Sequence, residues 1–320
     1  MTNSKKWIRT ALALLIVGIV LFGICFAASG FDFSRLNTVE YETNEYALSA
    51  DFQRIKIDAN TARIVLKPAE NGNCSVTCYE ETKCKHTVTV QDGVLAIRAE
   101  DSRKWYERFG VSFETPEITV YLPAGAYESL SVDTDTGDVS VPSAFSFDSV
   151  DIHGDTSSVT CLASVNKDLS IAVTTGNISV SDLHAGSVHL STTTGRVQAD
   201  RVVSGGDFTA DVRTGSVALN DVTCVRLSSG GSTGSATLRN VMADQEIRLE
   251  RSTGSVRLDR CDAPSIFVKT STGSVSGTLL RPMIFTADSN TGRVQVPASV
   301  PDGGMCEIHT TTGNITIDVE

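Results

Sequence analysis

The stretch Leu130-Ser-Val132-Asp133-Thr-Asp135-Thr136-Gly137-Asp138-Val139-Ser-Val141 decides the fold, because its pattern keeps returning. Thr-Gly pairs recur at Thr175-Gly176, Thr194-Gly195, Thr214-Gly215, Thr233-Gly234, Thr253-Gly254, Thr272-Gly273, Thr291-Gly292 and Thr312-Gly313. Thr156-Ser157 is a degenerate copy in step with them. A step of about 19–21 residues is the signature of a solenoid with one coil per repeat.

With each coil counted from its Gly, apolar residues fall in fixed rows. Position −7 holds Leu130, Val150, Leu169, Val188, Phe208, Leu227, Ile247, Ile266, Phe285 and Cys306. Position −5 is apolar from Val132 to Ile308, with Ser229 the exception. After the Gly, position +2 runs from Val139 to Ile315, and position +4 runs from Val141 to Ile317. This alternation describes two short strands per coil, each with one inward face. A weaker row at +7 (Leu183, Val202, Val222, Val241, Cys261, Leu280) implies a third short side.

Gly stands where the parity slips by one residue, as expected of a corner. The Thr before it also suits a nucleophile or an ice-binding face. A structural ladder of stacked hydroxyls at the corner is the expectation. The few apolar side chains of one coil do not repay the ordering of some 20 residues, so only a stack folds. Ten coils at about 4.8 Å each make a rod roughly 50 Å long.

The chain begins with Lys5, Lys6 and Arg9, then an uncharged apolar run from Ala11 to Ala28. That run is long enough to cross a bilayer, and the preceding cations predict a cytoplasmic N-terminus. Ala27-Ala28-Ser29 also resembles a signal-peptide cleavage site, so anchor and signal both stand, the anchor preferred for its length. The division is residues 1–9 cytoplasmic, 10–28 anchor, 29–50 stalk, 51–128 first coil plus insertion, and 129–320 repeats. The first coil is Ile55-Lys-Ile57 to Ile64-Val-Leu66, with Ala62 in the Gly slot. Strand-like segments at 74–79, 87–90, 94–99 and 118–122 then predict an antiparallel hairpin insertion that caps the N-terminal end. At the other end Ile315-Thr-Ile317-Asp-Val319 has no cap after it, so its edge is expected either to be twisted or charged or to be a pairing surface for self-association.

A formal net charge of −11 argues against nucleic acid as a partner. Cys78 and Cys84 flank a plausible hairpin turn. Free thiols, a disulfide across that turn, and a zinc site with Cys74 and His86 are all compatible with the spacing. No Walker loop, GxSxG elbow or HExxH occurs. Asp133, Asp135 and Asp138 are the best metal candidates, since carboxylates around a Gly turn suit Ca²⁺, but they lack the full calcium-loop spacing. A solvated acidic face is the plainer reading. Arg196, Arg213, Arg251 and Arg293 punctuate the repeats away from those aspartates, against a polysaccharide-cleaving β-helix enzyme. The outward residues after each Gly, with Asn177, Arg196 and Arg293 foremost, form a candidate binding face. Trp105 and Tyr106, within Arg103-Lys-Trp-Tyr-Glu-Arg-Phe109, form a second candidate that could meet a glycan, a headgroup or a protein.

The Ile55–Leu66 coil, Val94-Leu-Ala-Ile97, Ile118-Thr-Val-Tyr-Leu122-Pro-Ala-Gly125 and the Thr-Gly repeats together resemble the bacterial putative-adhesin family, a cell-envelope domain of unknown function. The likeness runs from about Phe52 to Glu320. It implies an all-β, parallel β-solenoid of about ten coils behind one transmembrane helix. It further implies a membrane-tethered, extracytoplasmic, non-enzymatic protein without a cofactor. Some relatives sit beside envelope-stress regulators, which implies the alternative of an accessory regulator. The ligand, whether envelope glycan or protein, is not specified by the resemblance.

Overall fold

The structure is a computed structural model that describes residues 2–28, 39–70, 72–105 and 114–320. One helix, Thr2–Ala28, precedes the rest. Its segment Lys6–Ala28 has a mean hydropathy of 2.9, is unburied, and is long and apolar enough to cross a membrane. All strands that follow belong to one sheet, wound as a parallel β-solenoid. The coils stack in strict register: Thr136, Thr156, Thr175, Thr194 and Thr214 are successive partners, as are Thr233, Thr253, Thr272 and Thr312. Two strands of 27 residues, Ile178–Ser204 and Asp207–Thr233, run through a corner without interruption.

The expected inward rows are the core. Leu130, Leu169, Phe208 and Ile247 at −7, and Val139, Ile178, Val217 and Val256 at +2, are each buried to within 1% of fully. The third row holds from Leu183 to Cys261, but at its last member Leu279 is buried in place of Leu280. The ladder shifts there between Leu258 and Cys261.

The corner glycines pack on one another. From Gly176 to Gly273, each adopts a φ of 128–158° and lies over the corner carbonyl of the preceding coil. A Cβ at Gly234 would sit 1.6 Å from the Gly215 carbonyl oxygen. The degenerate coil shows the alternative. Ser157 is buried, and Gly154 leaves the room its side chain fills, since a Cβ there would lie 2.8 Å from Ser157.

The expected Thr ladder is displaced. The Thr residues just before each Gly are exposed, and their hydroxyls make no hydrogen bond among the described residues. The ladder runs two residues earlier. Thr192, Thr270, Thr310 and Ser289 donate to the carbonyls of Gly176, Gly254, Gly273 and Gly313 at 2.8–3.2 Å. Parity explains the shift: position −3 faces inward with −5 and −7, so its hydroxyl reaches the corner carbonyl that position −1 turns away from.

A second corner, not expected from the sequence, lies six residues after the Gly in the five coils from Gly176 to Gly254. Asp182, Arg201, Asp221, Asn240 and Arg260 all take a left-handed φ of 49–55°. Asp and Asn tolerate that region best. Their side chains pair along the rod: Arg201 to Asp182 at 2.5 and 2.7 Å, and Asn240 to Asp221 at 2.9 Å.

The N-terminal end is capped as expected, with one addition. Arg54–Thr61 lies between Gly125–Thr136 and the later strand Val94–Asp101, so the first coil is not outermost. Val94–Asp101 and Glu117–Leu122 form the next layer out. Cys74–Glu81 and Cys84–Gln91 cover it antiparallel. Tyr41–Leu48, read from sequence as part of a stalk, instead pairs along its whole length with Cys74–Glu81. Its apolar residues are too few to give a clean period of two.

The C-terminal expectation is corrected in part. Ile315–Val319 pairs with Val275–Leu279 along its length, and its first two residues, Ile315 and Thr316, also pair on the outer side with Val294 and Gln295. Likewise Gly304–Thr312 lies between Ser265–Thr272 and Met283–Thr291. The last coil in sequence is therefore inserted beneath the penultimate one. The physical reason is core quality: Ile308, Ile315 and Ile317 are fully buried, whereas Val294 in the outer coil remains 39% exposed. The crossing segment, residues 296–303, contains Pro297 and Pro301 and covers part of the outer strand. Ser299 Oγ accepts the Phe285 N–H at 2.9 Å, and the Val300 N–H donates to the Met283 carbonyl. Prolines at such an edge discourage pairing with another chain.

His309, in the inserted coil, bonds Glu307 through Nε2 at 2.6 Å and Asp288 of the outer coil through Nδ1. Lys269 is its register partner on the other side, and the Phe267 ring lies 6.2 Å away. The Glu307 bond, with that to Asp288, raises its pKa above the usual 6.5 against the opposing effect of burial. A raised His pKa contributes stability that is full below the unfolded value and lost as pH rises through the folded one. His309→Gln is therefore expected to lower the melting temperature at pH 5.5, with the gap to the parent closing as pH rises through the raised value. A gap independent of pH between 5.5 and 9 would refute this.

Candidate functional site

The residues after each Gly line one edge of the rod, but much of their chemistry is spent on the stack. Asn177 Oδ1 accepts the Arg196 N–H at 3.0 Å, Asp138 Oδ1 the Ser158 N–H at 3.0 Å, and Asn314 Oδ1 the Arg293 N–H at 2.9 Å. Arg196 Nε continues to Ser216 Oγ at 3.1 Å. Asn177 and Arg196 are thus adjacent and exposed. Arg293 sits in the outermost coil, six steps of about 4.8 Å further along.

Asp133 and Asp135 are exposed on the long side before the corner, and Asp138 lies beyond it. Their carboxylates do not fall within 4.8 Å of one another as a ligand set. Trp105 is 75% exposed at the end of the cap hairpin, and Tyr106 lies outside the described residues. The neighbouring Arg103 is held inside the cap by Asp101 at 2.8 Å and Glu81 at 2.7 Å.

Among the described residues, one group of metal-ligating side chains does converge: Cys78, Glu80 and His86, all buried. Most of its hydrogen bonds are made within the cap, while His86 Nε2 is buried without a partner among the described residues. Glu80 Oε2 accepts the His86 N–H and bonds His86 Nδ1, both at 2.6 Å, and Oε1 accepts Asn44 Nδ2 at 2.7 Å. Burial, and then the charge of Glu80, push the Cys78 thiol up to about 12. A protonated thiol and a carboxylate holding three donors make a polar pin between cap strands. Cys74 and Cys84 lie outside this group, and all eight cysteines are free thiols.

The most site-like feature lies on the long face of the central coils. Gly230 and Gly231 lack the side chains that neighbouring coils carry, and the recess forms a groove of about 710 Å³. Arg251, one coil on, is 5% exposed and reaches back into that space. A Cβ at Gly231 would lie 1.9 Å from Arg251 Nη1. Nη2 donates to Ser229 Oγ at 2.7 Å, and Ser229 in turn donates to the Ala210 carbonyl at 2.5 Å. Nε is buried with no partner among the described residues. Desolvation lowers the Arg251 pKa below its usual value, with Asp211 opposing that shift. Arg213 and Lys269 stand exposed at the rim.

This groove was only half legible. Ser229 stood out as the polar break in an apolar row, and Arg251 as one of several scattered arginines. The usable signal was their coincidence: Ser229, Gly231 and Arg251 interrupt the inward columns of two adjacent coils.

The model of the Toastrack DUF4097 family matches residues 52–318. The chain belongs to that family. The matched stretch takes in the first coil, the cap strands from Cys74 to Leu122, the repeats and the groove, but not the cap strand Tyr41–Leu48. Among solved structures, a putative adhesin from Bacteroides fragilis NCTC 9343 is 14% identical, with 88% of this chain and 97% of that one covered at a TM-score of 0.42. A putative adhesin from Parabacteroides merdae ATCC 43184 is 11% identical, with coverage of 89% and 98% and a TM-score of 0.45. No match was found among the curated proteins.

Proposed function

We propose that this Toastrack protein is a membrane-anchored, extracytoplasmic, non-enzymatic binding module whose long face meets a surface polymer. The observation that carries this is the registered face itself. Exposed short polar side chains, Thr193, Ser232, Ser252 and Ser271 among them, repeat at one spacing along the rod and are broken by a groove. A periodic array of that kind suits a repeating ligand, each coil adding a weak contact. The apolar helix, preceded by Lys6 and Arg9, supports a single-pass anchor with the bulk outside. A second reading, an accessory regulator acting through protein contact, is favoured by the apolar end of the rod. There Ile284, Val294, Val300 and Met305 are 39–63% exposed.

The test is co-sedimentation of the full-length protein in detergent with isolated cell walls and host-type surfaces, with and without Ca²⁺. Saturable binding is expected. Binding to none of these surfaces would sink the polymer reading and favour crosslinking for a membrane-protein partner. A Ca²⁺ requirement would bring Asp133, Asp135 and Asp138 back as ligands.

A further inference from the structure

We propose that the groove over Gly230 and Gly231 is an oxyanion site, with Arg251 as its buried cation, and that it takes a carboxylate or phosphate carried on a polymer. This deepens the binding reading by naming the ligand chemistry.

Three observations carry it. First, the cation is only weakly compensated, by the charge of Asp211 without direct contact. Among the described residues, no carboxylate oxygen lies within 4.0 Å of the Arg251 guanidinium, and its single hydrogen bond goes to a neutral hydroxyl. A buried charge held this way is costly, and a planar guanidinium with spare donors is suited to a bidentate oxyanion. Second, the nearby carboxylates are otherwise engaged. Asp211 Oδ1 accepts the Gly230 N–H at 2.7 Å, and Glu250 pairs with Arg248. Third, the space is built and is not a packing defect. Both glycines stand where a side chain would close the groove: a Cβ at Gly230 would lie 3.0 Å from Asp211 Oδ1, and one at Gly231 would collide with Arg251. Ser229 replaces an apolar core residue in the same coil in order to bond the guanidinium. Arg213 and Lys269 at the rim add the long-range attraction that an anionic chain would feel.

The test is isothermal titration of the full-length protein in detergent with inorganic phosphate and with oligogalacturonate, a neutral galactose oligomer serving as control. Saturable binding of at least one anion is expected, weakened by added salt. Arg251→Gln is expected to lower that affinity roughly tenfold or more. Lys269→Gln, fully on the surface, is expected to lower it about two- to fivefold. Preference for phosphate would assign a phosphate-bearing polymer, and preference for the uronate an acidic glycan. No saturable binding of either anion, or binding unchanged in Arg251→Gln, would overturn the proposal. Should Arg251→Gln not fold, the Arg213→Gln/Lys269→Gln double variant decides, with unchanged affinity counting against the site. Cell-wall binding that persists in Arg251→Gln alongside failed titrations would remove the oxyanion site and leave the binding module standing.

Discussion

Gly234→Ala is expected to destabilise the solenoid by about 4 kcal/mol or more, an effect large enough to be diagnostic of steric failure. Two terms add. The φ of 128° at Gly234 is one that side chains rarely adopt. The added Cβ would also lie 1.6 Å from the Gly215 oxygen, which is less than half a normal contact. Relief is not local, because the Gly215 carbonyl belongs to a coil stacked in turn on Gly195. Moving one coil by the required distance opens ladders on both sides. Gly72 is the control: its φ is 68°, and among the described residues nothing beyond its chain neighbours lies within 4 Å of where its Cβ would be. Gly72→Ala should cost only about 1 kcal/mol, the conformational share alone. Chemical denaturation of both variants in detergent checks this. Equal losses would mean that the glycine row serves backbone freedom and not close stacking.

That distinction bears on what the sequence could tell. The Thr-Gly pair marked the first corner of most coils, and period-two alternation placed the rows of the core from Leu130 to Ile317. These features are legible because each depends on a residue's own slot. What escaped depends on two slots at once. Ser157 is tolerated in a glycine slot because Gly154 is small, and Ser229 is tolerated in the core because Arg251 bonds it. The Thr row shows a different limit. Recurrence at −1 was plain, but its load falls on the less regular row at −3, whose hydroxyls reach the corner carbonyls. Recurrence marks a position under constraint without naming the constraint. The order of coils was invisible for a third reason: register fixes which residues face inward, not which coil lies above which.

Coil order yields the other large expected effect. Ile315 and Val294 occupy the same register slot, two after Gly313 and Gly292. Were the coils stacked in sequence order, Val294 would be interior and Ile315 would line the open end. The observed order reverses this, with Ile315 fully buried between Val275 and Val294. Ile315→Ala should therefore cost about 2–5 kcal/mol, as for a core truncation that leaves a cavity. Val294→Ala, at a half-open rod end, should cost less than about 1 kcal/mol, because water already reaches the site. Denaturant midpoints of the two variants decide the ranking, and Val294→Ala as the costlier change would restore sequential stacking. The inserted order has a structural logic at both ends of the rod. At each, the segment first or last in the repeat array is clamped between neighbours, and a layer from elsewhere in the chain lies outside it. At the N-terminal end antiparallel strands cover that layer; at the C-terminal end the proline-bearing strap of residues 296–303 partly does so. A solenoid grown in simple order would expose its best strand at its end, where pairing with another copy is easiest. Pairing Ile315 and Thr316 with Val294 and Gln295 takes the start of that strand off the edge, so self-association through that part requires the outer coil to come off first.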